Sequence, residues 1–361
     1  MRQTYRFDGY LTRSCHALYL PEMRWTKPLL IVILLLACGA GYFAHELIYR
    51  ENTAQLINRP LKIPEGSEWE DIMQLIGDDS LLRNNASLDR LALWSGYAEK
   101  IKPGYYRIKP GMNNKEILRL LASGRQEEVK LVIRSSWNKE KLITYVCNEI
   151  NADSMFLLNL LNDSTRLTKY GWNNHTILAA FIPNTYNFYW TTDAETFLLR
   201  MLREHDRFWN DTRNAKAKKI GLSPVEVNIL ASIVEKETAK SDEMPTVAAV
   251  YLNRLKKGMK LEADPTVIYA VGNPDIRRVT RPMLQYESPY NTYFVTGLPP
   301  GPICMPSIQA IDAVLKNEQH SYIYFCAKED FSGYHNFTDS YNQHLLNARK
   351  YRLELNKMGI Q

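Results

Sequence analysis

The sequence has 361 residues, of which 45% are hydrophobic and 23% are charged, so apart from one apolar run it has an ordinary globular composition. The formal net charge of +6 suits a partner that is anionic on average, such as a membrane surface or an acidic polymer. Because the excess is small and no basic cluster stands out, no nucleic-acid partner is predicted. The length allows two or three domains.

The first predicted element is an apolar helix near the N-terminus. Residues 28–44 read PLLIVILLLACGAGYFA, about 17 residues without a charge, which is the lower limit for crossing a bilayer. A cleaved signal peptide is the alternative. However, the basic stretch before the run is long, and no clear small-x-small cleavage site precedes a polar mature start. We predict a tail at residues 1–27 and an uncleaved single-pass anchor at residues 28–48.

The charges on either side of this run predict its orientation. Five basic residues precede it and a mixed set follows it: Arg2, Arg6, Arg13, Arg24 and Lys27 before, and His45, Glu46, Arg50 and Glu51 after. Because Lys and Arg concentrate on the cytoplasmic side, the tail is predicted to be cytoplasmic and the chain after Tyr49 to lie outside. The working part of the chain would therefore face the exterior or the periplasm.

An internal repeat follows the anchor. IPEGSEWEDIMQLI begins at Ile63 and IKPGMNNKEILRLL at Ile108, and the apolar positions coincide when Gly66 is aligned with Gly111. A weaker third copy begins at Ile133. Each copy predicts a short strand, a turn and an amphipathic helix.

Local signals support small α+β modules over residues 58–150. Capping boxes are predicted for Ser67 with Glu70 and for Asn113 with Glu116. The segments YYRIK and EVKLVIR alternate like half-buried strands. This region shows no evident acid–base pair, and it is predicted to act either as a spacer or as a polymer-binding module.

Residues 151–215 form a predicted connecting region that is largely helical. Its clearest amphipathic helix is ETFLLRMLREHDRFW. The segment FIPNTYNFYW, Phe181 to Trp190, is predicted to be a loop dense in aromatic rings. Such loops are often core. Aromatic rings beside amides such as Asn184 also suit sugars, which present apolar C–H faces and hydroxyl edges.

Residues 216–347 form the predicted C-terminal domain, and residues 348–361 a C-terminal tail. Two helices, PVEVNILASIVEKETA and EMPTVAAVYLNRLKKG, are followed by the predicted loops LEADPTVIYA and YESPYNTYFVTGLPPGPICMP. A helix, SIQAIDAVLKN, and a hairpin, SYIYFCAKEDFSGYHNFT, end the domain. The whole chain is thus predicted to be α+β.

Glu237 continues the apolar stripe of the first of these helices. Neighbours on one helical face lie three, four and seven positions apart, and Val234, Ile233 and Leu230 stand at those distances. Glu235 lies on the other side, where a solvated glutamate costs little. A carboxylate on an apolar face is costly to keep ionised. Glu237 is therefore predicted either to pair with an internal Arg or Lys or, as we favour, to stay protonated as a general acid.

The loops around this helix supply amide, hydroxyl and aromatic groups between rigid Pro/Gly segments. The candidates are Asn253, Arg254, Asp264, Thr266, Tyr269 and the run from Ser288 to Tyr293. There is no phosphate-binding loop, metal-ligand spacing or G-x-S-x-G turn. The composition favours a saccharide cleft, although such loops also form protein interfaces.

The cysteines do not indicate a metal or a cofactor. Cys15 is predicted on the cytoplasmic side and Cys38 in the membrane. Cys147, Cys304 and Cys326 lack the close spacing of a zinc site or a disulfide scaffold.

The catalytic-domain sequence resembles the endolytic murein transglycosylases of the MltG/YceG-like family. The resemblance rests on LASIVEKETAKSDEMPTVAAVYLNRLKKGMKLEADPTVIYAVG, SPYNTYFVTGLPPGPI and YIYFCA with GYHNFT. It extends from the anchor to about His344. It implies a single-pass inner-membrane protein with LysM-like modules before the catalytic domain, which cuts nascent peptidoglycan glycan strands internally and releases or terminates them. Peptidoglycan synthases are candidate partners.

The resemblance also implies functional residues. The catalytic glutamate of the EKET motif matches Glu237, the residue selected by its helical face. The implied cleft residues are Asn253, Arg254, Asp264, Thr266, Tyr290, Asn291 and Tyr293. Where many members have an acid, this chain has Asn184, so only a hydrogen-bonding role is expected there.

The predicted reaction breaks the bond between N-acetylmuramic acid (MurNAc) and N-acetylglucosamine (GlcNAc) and leaves a 1,6-anhydro-MurNAc end, with Glu237 as acid and then base. One alternative is a muramidase-type hydrolase in which Asp264 is the second carboxylate, although a turn-forming or capping Asp is favoured at that position. Another is a non-catalytic peptidoglycan-binding scaffold, which would gain nothing from an unpaired interior acid.

Overall fold

The computed structural model describes residues 26–54, 60–135, 138–276 and 278–358. Helices and short antiparallel strands alternate along the described chain, so the predicted α+β class is confirmed. The helices are α1 (Thr26–Tyr49), α2 (Trp69–Asp78), α3 (Asn85–Ser95), α4 (Asn114–Ser123), α5 (Lys139–Glu149), α6 (Ser154–Asn162), α7 (Ser164–Thr168), α8 (Ala194–Phe208), α9 (Asp211–Ile220), α10 (Pro224–Glu237), α11 (Met244–Lys256), α12 (Asp264–Val271), α13 (Arg281–Leu284), α14 (Ile308–Lys316) and α15 (Tyr341–Lys357). The strands are β1 (Leu61–Ile63), β2 (Gly104–Tyr106), β3 (Glu128–Val132), β4 (Thr185–Tyr189), β5 (Tyr324–Ala327) and β6 (His335–Thr338). Residues 1–25, most of the predicted cytoplasmic tail, lie outside the described residues.

One helix in the described part of the chain is long and apolar enough to cross a membrane. It covers Lys27–Tyr49 within α1, 23 residues with a mean hydropathy of 2.0. At 1.5 Å per residue this helix is about 35 Å long, enough for a bilayer core of about 30 Å. A signal sequence has the same length and composition, so the retention of α1 as an anchor belongs to the proposal below.

Buried apolar residues between Leu61 and Leu121 form the first hydrophobic core. Strands β1 and β2 pair antiparallel, and α2, α3 and α4 pack around the same buried apolar residues. The two copies of the repeat share a turn conformation, with φ of +77° at Gly66 and +88° at Gly111. Because only glycine adopts this left-handed region without strain, the aligned glycines of the repeat have a structural cause.

The helix caps of the repeat follow the sequence closely. Helix α4 opens with the predicted capping box. On α2 the box lies one residue later than predicted, with Glu68 and Asp71 in place of Ser67 and Glu70. A carboxylate accepts the free N–H groups of a first turn as well as a hydroxyl does, so either register satisfies them.

The aromatic segment that was predicted to be a loop forms strand β4. It pairs antiparallel with β3, with Tyr186 opposite Leu131. Tyr186 and Phe188 point into the second hydrophobic core, while the side chains between them are exposed. The loop prediction was wrong because it followed Pro183 and the density of rings rather than the two-residue period.

Helices α10, α11 and α14 enclose the third hydrophobic core. Strands β5 and β6 form the predicted hairpin beside it. The segment LEADPTVIYA, predicted to be a loop, instead contains α12. Pro265 stands in the first turn of α12, where its missing N–H costs no hydrogen bond, and Gly272 ends the helix in the left-handed conformation.

The C-terminal helix α15 packs on the β5–β6 hairpin. It extends to Lys357, so most of the predicted tail at residues 348–361 is helical.

Candidate active site

Glu237 is the last residue of α10, the helix that forms the centre of the third core. Its side chain is half-buried, and the hydroxyl of the fully buried Tyr251 donates a 2.6 Å hydrogen bond to its Oε1. Burial raises the pKa of Glu237 from 4.5 to about 7; the Tyr251 hydrogen bond opposes this shift and the charge of Asp264 adds to it. Within the described residues no Lys or Arg forms an ion pair with Glu237, and Oε2 has no hydrogen-bond partner.

The contacts of Glu235 differ from those of Glu237, and they also differ from the solvated position predicted for it. Instead of standing in solvent, it is half-buried, and its Oε2 accepts hydrogen bonds from the Ser307 backbone N–H at 3.1 Å and hydroxyl at 2.6 Å. Ser307 caps α14, so Glu235 ties the start of α14 to the end of α10. The hydrogen bonds from Ser307 to Glu235 therefore stabilise the fold.

A second carboxylate stands close to Glu237. Asp264 opens α12 and is exposed, and the Tyr293 hydroxyl donates a 2.7 Å hydrogen bond to its Oδ1. Burial and the nearby carboxylates of Asp264, Glu237 and Glu262 raise the pKa of Tyr293, which keeps this hydroxyl a donor. Each carboxyl of the site is thus held by one tyrosine.

A cavity with a volume of about 810 Å³ lies beside this pair of carboxyls. Its wall includes Lys236 and Pro265, the chain neighbours of the two acids, but neither acid itself. Glu237 is the candidate acid of the site, because burial raises the pKa of its carboxyl to about 7. The cavity therefore adjoins the Glu237 carboxyl rather than containing it. Its remaining lining residues are Asn138, Lys139, Glu140, Lys141, Asn162, Asn174, His175, Leu178, Ile268, Tyr269, Gly272, Pro274, Tyr290, Pro302, Ile303 and Cys304.

Two tyrosines from the predicted site form one side of this cavity. The rings of Tyr269 and Tyr290 lie 4.7 Å apart, and the Tyr290 hydroxyl is 3.2 Å from Nδ1 of His175. Tyr269 remains 40% exposed, so its ring is available to a ligand. Amides, tyrosine rings and apolar side chains all line this cavity.

Gly301 explains how the Pro/Gly loop closes the cavity wall. A Cβ at this position would lie 2.0 Å from the carbonyl oxygen of His175 and 3.0 Å from the Tyr290 hydroxyl. Only glycine allows this loop to pack directly on the segment that carries His175.

Two of the predicted cleft residues are engaged in holding the surrounding loops. Arg254 is buried, and its guanidinium donates to the carbonyls of Ile323 at 2.7 Å and Leu261 at 2.9 Å. Asn253 donates to the carbonyls of His320 at 2.8 Å and Tyr322 at 3.1 Å. Their contacts position the hairpin and α12, and substrate binding by them stays a prediction.

Thr266 and Asn291 are also buried and bonded within the protein. The hydroxyl of Thr266 lies 2.8 Å from that of Thr292. Asn291 donates to the Tyr286 carbonyl at 2.8 Å and accepts from the Tyr293 N–H at 3.0 Å. Asn291 therefore fixes the turn that aims Tyr293 at Asp264.

Asn184 lies apart from the residues described above. It is exposed at the start of β4, its Oδ1 accepts from the Thr185 N–H at 2.8 Å, and it does not line the cavity.

Three contributors to the site were missed at the sequence level. Tyr251 comes from α11, and Glu243 and His335 lie behind the end of α10. Glu243 accepts from the Thr238 hydroxyl at 3.3 Å and lies 2.7 Å from Nδ1 of His335, which joins the β5–β6 hairpin to the residue after Glu237. No local spacing indicates these contacts, because each joins separate elements.

Within the described residues, no group of three or more His, Cys, Asp or Glu side chains could hold a metal ion. The four described cysteines are free thiols.

These features define an α+β protein with a protonatable glutamate beside a sugar-compatible cleft. The chain matches the model of the YceG-like family over residues 61–350 and belongs to that family. It is 26% identical over 309 residues to the endolytic murein transglycosylase of Bacillus subtilis (strain 168), covering 81% of this chain and 84% of the relative.

Two further proteins are similar. The endolytic murein transglycosylase of Streptococcus pneumoniae serotype 2 is 24% identical over 334 residues, covering 82% of this chain and 60% of that longer protein. The crystal structure of a YceG-like protein from Listeria monocytogenes aligns with a TM-score of 0.54 and 26% identity, covering 80% of this chain and 97% of that one.

Proposed function

We propose that this protein is an endolytic lytic transglycosylase that cuts the MurNAc–GlcNAc bond within nascent peptidoglycan strands. Relatives that match about four fifths of the chain carry the name endolytic murein transglycosylase. The observation that carries the proposal is the Glu237 carboxyl, which burial keeps protonated close to neutral pH and which pairs with no described cation. A general acid needs a pKa near the working pH.

In the first step Glu237 protonates the leaving oxygen. Tyr251 donates to Oε1, so the acidic proton resides on Oε2, which is free to face the substrate. As the bond between the muramic C1 and the glucosamine O4 breaks, O4 takes this proton. The positive charge that grows on C1 is stabilised by the nearby Asp264 carboxylate and by the acetamido group of the substrate.

In the second step the sugar closes on itself. The C6 hydroxyl of the same muramic residue attacks C1, and its proton passes to the Glu237 carboxylate. The product has a 1,6-anhydro end, no water is consumed, and Glu237 returns to its starting state. One carboxyl suffices for both proton transfers, unlike the two carboxyls of a usual glycosidase.

The glycan strand extends from Glu237 past α12 into the adjoining cavity. Tyr269 and Tyr290 offer ring faces to the apolar sides of the sugars, and the amides of Asn138, Asn162 and Asn174 offer partners for acetamido and hydroxyl groups. Arg254, Asn291 and Thr266 serve this cleft by positioning its loops.

The remaining domains place the site at the membrane. Helix α1 is the retained single-pass anchor, with a cytoplasmic N-terminus and the chain after Tyr49 outside the inner membrane. Residues 58–150 are LysM-like modules, residues 151–215 connect them, and residues 216–347 carry the chemistry. Such an enzyme terminates or releases glycan chains as peptidoglycan synthases make them.

Product analysis tests this function. Purified sacculi or lipid-linked glycan is digested with the full chain, and the soluble fragments are analysed by mass spectrometry. Anhydro-muramic ends are expected. Reducing ends would show that water attacks C1, with Asp264 as the general base of a hydrolase. If a folded protein released no soluble fragments, the result would support the alternative of a glycan-binding scaffold.

A further inference from the structure

A cleft of about 350 Å³ separates the end of α1 from the start of α3. Phe43, Glu46, Leu47 and Arg50 line it from one face of α1. Arg83, Asn84, Ser87 and Arg90 line it from the other side. The two helices therefore flank one groove at the junction between the apolar helix and the first module.

Helix α3 runs back along α1 toward the apolar segment. The chain after α1 pairs with the chain before α3, with Thr53 opposite Leu82. Asn52 then donates to the Asn84 carbonyl at 2.8 Å and the Ser87 hydroxyl at 3.1 Å. Because α3 starts beside the end of α1, and its next turns flank the cleft with Phe43, the two helices are antiparallel.

The outer face of α3 ends in two exposed apolar side chains. Leu88 and Leu91 fill the core on the inner face. On the outer face, Arg90 is exposed, Leu93 is 58% exposed and Trp94 is 77% exposed. Trp94 follows Ser87 by two helical turns, about 10 Å farther along the axis of α3.

With α1 as the anchor of the proposed function, this position would correspond to the surface of a bilayer. About 20 residues of helix cross the hydrocarbon core, so an anchor that starts at Lys27 leaves it near Leu47. The cleft beside Leu47 then lies among the lipid headgroups, and the far end of α3 lies at the boundary of the acyl chains. Tryptophan is enriched at this boundary, because its ring is apolar and its N–H is polar.

The charges on this face also fit lipid headgroups. Arg50 and Arg83 are paired with Glu46 and Glu51, at 2.6 and 3.3 Å. Arg90 forms no ion pair with any described residue, so its guanidinium is available to a phosphate.

We propose that Arg90, Leu93 and Trp94 form a membrane-contact surface on the outer leaflet of the bilayer that α1 spans. Trp94 and Leu93 enter the headgroup–acyl boundary, and Arg90 binds lipid phosphate. The first module is thereby held against the membrane at two points, α1 and the tip of α3. This inference rests on the anchor in the proposed function and is independent of the glycan chemistry.

The test uses the full chain in phosphatidylcholine–phosphatidylglycerol vesicles whose acyl chains are brominated, which quenches only tryptophans at the membrane. Two of the seven tryptophans, Trp25 and Trp94, are expected there. Trp94→Phe should therefore lose roughly half of the bromine-dependent quenching. Trp172→Phe is the matched control, because Trp172 packs on the second core, and it should retain the quenching of the unmodified chain.

Equal quenching in the unmodified chain and in Trp94→Phe would disprove the membrane-contact surface. Trp94 would then face water, a second copy or another protein. Alkaline carbonate extraction of the same vesicles separates this failure from failure of the anchor. A chain that stays in the pellet while Trp94 is not quenched disproves the surface alone. A chain that is extracted disproves the anchor and, with it, the surface.

Discussion

Two polar sites of this molecule differ in whether they leave a hydrogen-bonding atom without a partner in the protein. Beside α1, the amide of Asn52 donates to Asn114 at 2.7 Å, and Asn114 donates to the Leu47 carbonyl at 2.8 Å. These groups are neutral and their hydrogen bonds stay within the protein. At the end of α10, Glu237 is ionisable and accepts one hydrogen bond, so an oxygen remains. The first arrangement stabilises a junction, whereas the second is available for proton transfer.

The two glutamates of EKET repeat this contrast within one helical turn. Glu235 accepts two hydrogen bonds on one oxygen from the start of α14, whereas Glu237 accepts one hydrogen bond, from Tyr251. Changes at the catalytic region should therefore alter activity with the fold retained, and changes at the junction should alter stability with the chemistry retained.

The largest effect is expected for Glu237→Gln. It keeps the shape of the side chain and removes the acid, so cleavage should fall by at least about 100-fold. Release of soluble fragments from sacculi measures this, and circular dichroism should show an unchanged fold. Glu235→Gln is the matched control and should retain most of the activity. A correctly folded, fully active Glu237→Gln would disprove the assignment.

Tyr251→Phe should have the next largest effect. A hydrogen bond to a charged group contributes about 1.5–3 kcal/mol, so losing the one that holds the carboxylate should slow turnover by about tenfold or more. Because Tyr251 lowers the pKa of Glu237, that pKa should rise and the alkaline limb of the pH–rate profile should move to higher pH. An alkaline limb at unchanged pH would show that the Tyr251 hydrogen bond does not alter the pKa of Glu237.

Asp264→Asn should have a smaller effect of opposite sign on the profile. The Asp264 charge raises the pKa of Glu237, so its removal should move the alkaline limb to lower pH. A loss of a few-fold in rate is expected if Asp264 only stabilises positive charge. Abolition of turnover, together with reducing ends in the unmodified enzyme, would instead make Asp264 the base of a hydrolase.

The smallest effect on activity is expected for Asn114→Ala at the junction. It removes one of the three hydrogen bonds that the Asn52 amide donates, and the one that the Leu47 carbonyl accepts from Asn114, which should lower the free energy of unfolding by about 1–3 kcal/mol. Chemical denaturation measures the change, and Asn148→Ala, at an exposed amide of α5, serves as the comparison. A loss of specific activity in folded Asn114→Ala would show that the junction also controls the catalytic site.

The sequence predicted those features that depend on local periodicity. The 3.6-residue period selected Glu237, and the repeat predicted the turns at Gly66 and Gly111. Strand β4 was missed because the loop prediction followed Pro183 and the density of rings rather than the two-residue alternation of buried and exposed side chains. Helix α12 was missed because LEADPTVIYA was predicted to be a loop, whereas its proline stands in the first turn of a helix.

The rest of the site depends on contacts between separate elements. Tyr251 reaches Glu237 from α11, and Glu243 reaches His335 from the start of the same helix. No local pattern indicates that Arg254 and Asn253 bind carbonyls of the hairpin. Spacing along one helix determines which face a residue occupies, but not which residue of another element faces it.

Titration of the Glu237 carboxyl tests the central claim most directly. Infrared difference spectra of the full chain, with Glu237→Gln as the reference, follow the protonated carboxyl as pH rises. A midpoint of about 7 is predicted, with loss of activity as pH increases through it. A midpoint near the ordinary value of 4.5 would mean that Glu237 is ionised at neutral pH and does not serve as the acid.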